Sequence, residues 1–551
     1  MGSRKVESIM QLFTDIRSMA CAIPRAIQVG SMVVAAALAL GPVARADGLT
    51  PSGATAAPNR STLALDPTTP QVPSLPGGVT PGFGSPSASS QDWRFDFHGF
   101  ITAPLNAGFN SRPDAQPGQS TTVLHAPPEV PDDFETFSHT SVVPMTYAQL
   151  TFTESNDVVS ANVSVLARQA NVSESFLEPA SQEGITDAFL SYLPKLGPNV
   201  HMRAIVGAFT SRYGSPGEYD EGRYGTPLIA RISGAGELIG VALPLGPNTL
   251  MFEQGLQGQT NTASASITPD VWNDFADPEE GTTFVNHFHA GFNYRSWVTV
   301  GAHFINAQSH DDRATGPLAP DGSLSVLAAD IRLSMHRFGN FYFAFASTKA
   351  SHARVVSRII SILNTPGGPG LANDYMGPVA NGGDATGTLT TGGAQYDLSL
   401  ARLLSFPAPF AGDGPDVFVS VFGLGTSVSS AFPRQPGVLD GVAVTKGVYG
   451  DGVTKIKVGA EGTYSVLPWL AFSARLDRVM PAIDDSSTAF SVLSPRVIFR
   501  TGWTATDALV LQYSHWFDGR YTTVRTGEPA VDNLDVVPDS DVLSLSANIW
   551  W

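Results

Sequence analysis

Thiols are almost absent from this sequence, which holds a single cysteine, Cys21. Disulfides therefore cannot brace the fold, and a cysteine-based metal site is excluded. Charged residues are scarce too, at 15%, and their balance is acidic, with a formal net charge of −17. That balance argues against a nucleic-acid partner. No uninterrupted apolar run suited to a membrane-spanning helix follows residue 46, so a helical membrane protein is not expected. Motif chemistry is missing as well: there is no G-x-S-x-G elbow, no H-E-x-x-H and no Walker A pattern. Gly234-Ala235-Gly236 followed by Gly240 misses the dinucleotide spacing by one residue. The sequence accordingly predicts no catalytic residue, no metal centre and no cofactor.

What is present begins with an export signal. Arg17 and Arg25 precede an apolar stretch over 26–40, which Gly41-Pro42 breaks, and Ala44-Arg45-Ala46 has the form of a cleavage site. Residues 1–46 therefore read as a signal peptide. Cleavage would remove Cys21 together with five basic and two acidic groups, leaving a net charge of −20. Residues 47–92 are rich in Pro, Gly and Ser, with prolines at Pro51, Pro58, Pro67, Pro70 and Pro73 among others. Such a composition buries no core, so this segment reads as a flexible tether.

From residue 93 the texture changes. Phe95, Phe97, Ile101, Ala103, Leu105, Ala107 and Phe109 share one parity, while Asp96, His98, Thr102 and Asn106 share the other. Side chains alternate faces along a strand, so one face is apolar and the other polar. The pattern recurs in about 18 segments, with 16 as the other count. They run from 94–110 to 541–551 and include 236–244, 394–405 and 490–503. Short links such as Ser155-Asn156-Asp157 and Arg295-Ser296 alternate with long ones, among them 111–145, 210–235, 258–282, 350–393 and 518–540. A soluble sandwich has no reason to alternate so regularly. The expected fold is an all-β transmembrane antiparallel barrel over residues 93–551, with short periplasmic turns and long extracellular loops. The tether then lies in the periplasm.

The final strand is the sharpest local signal. Leu543, Leu545, Ala547, Ile549 and Trp551 are apolar at every second position, and the sequence stops on an aromatic residue. This resembles the C-terminal assembly signal of Gram-negative outer-membrane barrels, and residues 94–551 resemble the porin class in architecture. The resemblance implies a bacterial outer-membrane location and a pore for small polar solutes and ions. It implies contact with membrane lipid and lipopolysaccharide, recognition by the barrel-assembly machinery, and the homotrimer common in that class. A substrate-specific transporter and a plugged structural or adhesive barrel are the alternatives.

Parity also sorts the charges. Arg94, Arg168, Arg203, Arg332, Asp96, Asp187, Glu253, Asp330 and Asp397 fall on the lumen parity, as do Lys455, Lys457, Arg475, Arg496 and Arg500, with Glu461 and Asp477. The five basic residues from 455 to 500 predict a basic wall along one side of the pore, unless the two carboxylates neutralise it. Arg402 breaks the rule, which predicts that its strand ends early or bulges. Glu237 breaks it too and is expected at a strand end. The third long loop, with Arg212, Glu218, Asp220, Glu221, Arg223 and Arg231, is a candidate constriction by analogy with porin loop order. Its rival is 350–393, where Val355, Val356, Ile359, Ile360 and Leu363 could form a plugging helix. His287, His289 and His303 read as pore-lining rather than metal-ligating. Ser514 and His515 are adjacent in sequence but point to opposite faces, so they do not form an outer-wall hydrolase pair. The acidic loops 129–135, 274–280 and 532–541 lack Ca²⁺-loop spacing, and solvation accounts for them. Tyr192, Tyr294, Phe341, Tyr464 and Trp503 are expected in an aromatic girdle near the short turns.

Overall fold

The computed structural model describes residues 93–109, 145–156, 158–170, 181–197, 200–213, 229–260, 282–295, 297–310, 322–351, 360–361, 386–404, 416–431, 434, 438–439, 442–443, 450–467, 469–486, 489–500, 506–517, 520–522, 534–536 and 540–550. The signal peptide, the tether, Trp503 and Trp551 lie outside them. Eighteen long strands follow in order: β1 (Arg94–Phe109), β2 (Met145–Ser155), β3 (Val159–Ala170), β4 (Ser181–Tyr192), β5 (Val200–Tyr213), β6 (Ala230–Leu245), β7 (Asn248–Thr260), β8 (Thr282–Tyr294), β9 (Val298–His310), β10 (Gly322–Ser334), β11 (Asn340–Ser351), β12 (Gly387–Ser399), β13 (Asp416–Ser430), β14 (Thr454–Leu467), β15 (Leu470–Met480), β16 (Phe490–Phe499), β17 (Thr506–Phe517) and β18 (Ser540–Trp550). They belong to one 20-stranded sheet, whose two remaining members are short: Lys195–Gly197 beside β5, and Ile360–Ser361 beside β6.

Every long strand pairs antiparallel with the next, and β18 pairs with both β17 and β1. The sheet therefore closes on itself. Carried from partner to partner around the ring, the ladder returns to β1 displaced by about 22 residues, a stagger that tilts the strands roughly 40° from the barrel axis. Short turns have local causes. Asn156 Oδ1 accepts hydrogen bonds from the N–H groups of Val158 (2.8 Å) and Val159 (2.9 Å) between β2 and β3. Gly246, at φ 65°, turns the chain between β6 and β7, a conformation that glycine adopts without steric penalty.

The distribution of polarity is inverted relative to a soluble protein. Phe95, Leu105 and Ile185 are 69%, 68% and 67% exposed on the outer wall, whereas Ser164, Asn162 and Ser191 are at most 1% exposed inside. So continuous an apolar exterior requires a hydrocarbon solvent. Tyr192, Tyr294 and Tyr464 are exposed near short turns, as are Trp297 and Trp469. Phe341 is buried instead, because Tyr396 faces it across the ladder and binds the adjacent turn through Phe338 O.

Some expected boundaries move. The 394–405 strand ends at Ser399, whose hydroxyl caps a one-turn helix, Leu400–Leu403, and Arg402 lies in that helix. Thus Arg402 never occupies a lipid-facing strand position. Glu237 is not at a strand end: it sits midway along β6, exposed, between Val206 and Leu256. The β5–β6 hairpin extends well past its neighbours, so a mid-strand position there is far from the short turn. Ile360–Ser361 is strand rather than helix, and it pairs with Ile232 and Arg231 of β6.

Candidate pore and its lining

The inner face divides by height. Nearest the short turns it is polar: Asn293 on β8, Gln395 and Asp397 on β12, and Thr463 and Ser465 on β14 are buried there, and Asp330 on β10 is half-buried. Toward the long-loop end of β8–β18 the same face turns apolar, with Val285, Ile305, Leu324, Val326, Leu389 and Leu424 buried in one cluster. The cluster also holds Tyr213, Ile229, Ala230 and Ile232 from the long-loop end of the β5–β6 hairpin.

Tyr213 shows where that hairpin goes. By ladder register it lies beside Ala230, yet its hydroxyl hydrogen-bonds to His287 Nδ1 on β8, two strands further round than β6. Its ring lies 5.2 Å from the ring of His303 on β9 and 6.3 Å from that of His289. Such contacts require the hairpin stem to bend inward across the bore. The chain around Ile360, from the connection between β11 and β12, meets β6 at the same end. Of the loop residues singled out from sequence, Glu218, Asp220, Glu221 and Arg223 lie outside the described residues. Arg212 and Arg231 are opposite one another in the β5–β6 ladder.

The histidines are tightly connected. Gln257 donates through Nε2 to Phe209 O (2.7 Å) and Gly234 O (3.1 Å), which turns its Oε1 toward His287 Nε2 at 3.1 Å. His287 therefore donates from Nε2, and its Nδ1 accepts from the Tyr213 hydroxyl. On β9 and β10, His303 Nε2 meets the Asp330 carboxylate, and His303 Nδ1 lies 3.0 Å from His289 Nδ1. Arg203 pairs with Glu253 beside them. Glycines make room for the rings: a Cβ on Gly255 would approach His287 to 2.2 Å, and one on Gly301 would approach Asp330 to 2.6 Å. Among the described residues no set of three His, Cys, Asp or Glu is arranged to hold a metal ion.

The basic residues from 455 to 500 are ranged along the inner faces of β14–β16, from Lys455 at the long-loop end to Arg500 just beyond β16 at the short-turn end. They do not form a bare cationic surface. Arg475 binds Asp477 in bidentate fashion through Nε (2.8 Å) and Nη2 (2.9 Å), and its guanidinium lies 4.8 Å from the Phe422 ring. Lys457 Nζ is 4.0 Å from the same carboxylate. Arg496 bonds Glu461 (3.0 Å) and Gln512 (2.6 Å). Lys455, Lys457, Arg475 and Arg496 are all buried, and Arg500 is half-buried. On the adjoining strand β17, Ser514 faces inward to Ser494 of β16 at 3.0 Å, while His515 faces outward to Asp541 at 2.6 Å.

A closed antiparallel ring, apolar outside and polar within, decides the class. The chain is a membrane-spanning β-barrel of 18 long strands. No family model and no curated protein matches it. Solved structures align along most of its length at low similarity. OccAB2 of Acinetobacter baumannii covers 83% of this chain and 98% of its own, at 9% identity and a TM-score of 0.38. OmpF of Salmonella typhi, solved with daunomycin, covers 83% and 97% at 10% identity and 0.37. The outer membrane channel DcaP of A. baumannii covers 84% and 99% at 13% identity and 0.32. The assignment rests on the barrel's own geometry.

Sequence reasoning missed the apolar upper bore, Tyr213 and the Phe422 platform. A faint signal existed. Leu324-Ser325-Val326-Leu327-Ala328-Ala329 is apolar on both parities, as expected where both faces of a strand are covered.

Proposed function

We propose that this barrel is a diffusion channel for small polar solutes and ions, narrowed by its β5–β6 hairpin and only weakly ion-selective. The observation that carries the reading is the inward bend of the hairpin, seen in the Tyr213–His287 contact between non-adjacent strands. An 18-strand ring is wide enough for an aqueous channel. The hairpin fills part of it, and the channel reading places the solute path beside the polar wall of β14–β17. Because Asp477 and Glu461 offset part of the charge of Lys457, Arg475 and Arg496, selectivity follows the residual positive charge rather than five independent positive groups. The buried apolar cluster at the long-loop end favours a second reading, a plugged barrel that presents its loops.

Planar-bilayer recording of the refolded protein separates the two. The channel reading expects steady single-channel steps and a small reversal potential under a salt gradient, and a membrane that stays silent after verified insertion overturns it. The homotrimer, the lipopolysaccharide contact and the role of the last strand as an assembly signal belong to the same proposal. Cross-linking in membranes tests the first of these.

A further inference from the structure

We propose that the histidines beneath the β5–β6 hairpin form an acid-sensitive latch, which holds the hairpin in the bore while the imidazoles are neutral and releases it when they become charged. The inference rests on the channel reading above. The latch is the packing of the Tyr213 ring on three imidazoles, those of His287, His289 and His303, together with its hydrogen bond to His287.

Hydrogen-bond logic sets the neutral state. Asp330 can only accept, so His303 donates from Nε2 and accepts at Nδ1. His289 then donates from Nδ1, which leaves its Nε2 as a lone pair. That atom is buried and has no hydrogen-bond partner among the described residues. Here a proton would bind, and the resulting cation would have nothing to donate to. The charged and titratable groups facing the cluster are Tyr213 and Arg203 from β5, Glu253 from β7, His287 and His289 from β8, His303 from β9 and Asp330 from β10. Glu253 is already engaged by Arg203, so Asp330 is the carboxylate left to offset a new charge. It can compensate one imidazolium but not two. The rings of His289 and His303 are stacked at 4.6 Å, and a second proton there sets like charges face to face with no water between them. Separating them disturbs the surface on which Tyr213 rests.

The test is single-channel recording in concentrated KCl, where screening suppresses simple surface-charge effects. The long-loop side is acidified in steps from neutral to about pH 3.5, past the ordinary histidine range because the rings are buried. Release of the hairpin predicts a conductance rise of roughly 1.5-fold or more as the constriction leaves the bore. The His289→Gln/His303→Gln double variant, which cannot take up the charge, is expected to lack the step. A second variant pairs Ile232→Cys with Ile360→Cys, which are ladder partners at a spacing that suits a disulfide. Its oxidised form should abolish the acid step, and reduction should restore it.

A step that survives in the oxidised form overturns the latch, because charge alone would then account for it. A conducting wild type with no acid response overturns the latch and leaves the channel reading intact. Silence from the wild type removes the channel reading and the latch with it.

Discussion

Small residues decide how the inner wall receives its large ones. Gly255 lies under the His287 ring, Gly291 under His289, and Gly459 under Phe422, where an added Cβ would approach the ring to 2.4 Å. Gly255→Ala should lower stability by about 1–3 kcal/mol through overpacking. Gly462→Ala, whose Cβ would meet nothing within 4 Å, should leave stability unchanged. Urea unfolding in detergent micelles checks both, and equal effects would contradict the packing described. Charge pairing makes a second residue-scale prediction. Asp477→Asn leaves Arg475 and Lys457 buried without their carboxylate, at an expected cost of about 3–5 kcal/mol. The surviving pores should shift in reversal potential toward anions. An unshifted reversal potential would show that these groups lie off the conducting path.

Single strands carry most of what was legible beforehand. All the ring strands were visible as alternations, because one face of each meets lipid and the other a polar interior, and turn length gave their direction. Boundaries were less secure: nothing in the alternation of 394–405 marks Ser399 as a helix cap. The β5–β6 hairpin was the least readable element. Its inward bend depends on Tyr213 meeting β8 and β9, contacts that neither periodicity nor ladder register encodes. The pairing of Arg475 with Asp477 was half legible, since both fall on one parity two residues apart, but whether they bond depends on side-chain conformation. Within the last strand, Trp550 pairs with both Phe100 and Thr506. Deleting Trp550 and Trp551 should reduce outer-membrane insertion severely, as read by the heat-modifiable folded band on gels. Unchanged insertion would deny that strand end any special part in assembly.

At the scale of the whole molecule, the ring is complete without the first 92 residues, since β1 already pairs on both sides. Removing residues 48–90 should therefore leave a barrel with unaltered thermal stability in detergent. A truncated protein that fails to fold into lipid would show that this segment contributes more than a tether. The closure itself has a kinetic side. Every other ladder in the ring joins strands adjacent in the chain order, but one seam joins Phe100 to Trp550. Loop-closure entropy falls most heavily on that seam, and it cannot zip until the last strand has arrived. Until then the sheet has two unpaired edges, each able to recruit a strand from another molecule. A chain of this design is therefore most vulnerable to misassembly late, when it is nearly complete, and its survival depends on how long those two edges are kept from meeting anything but each other.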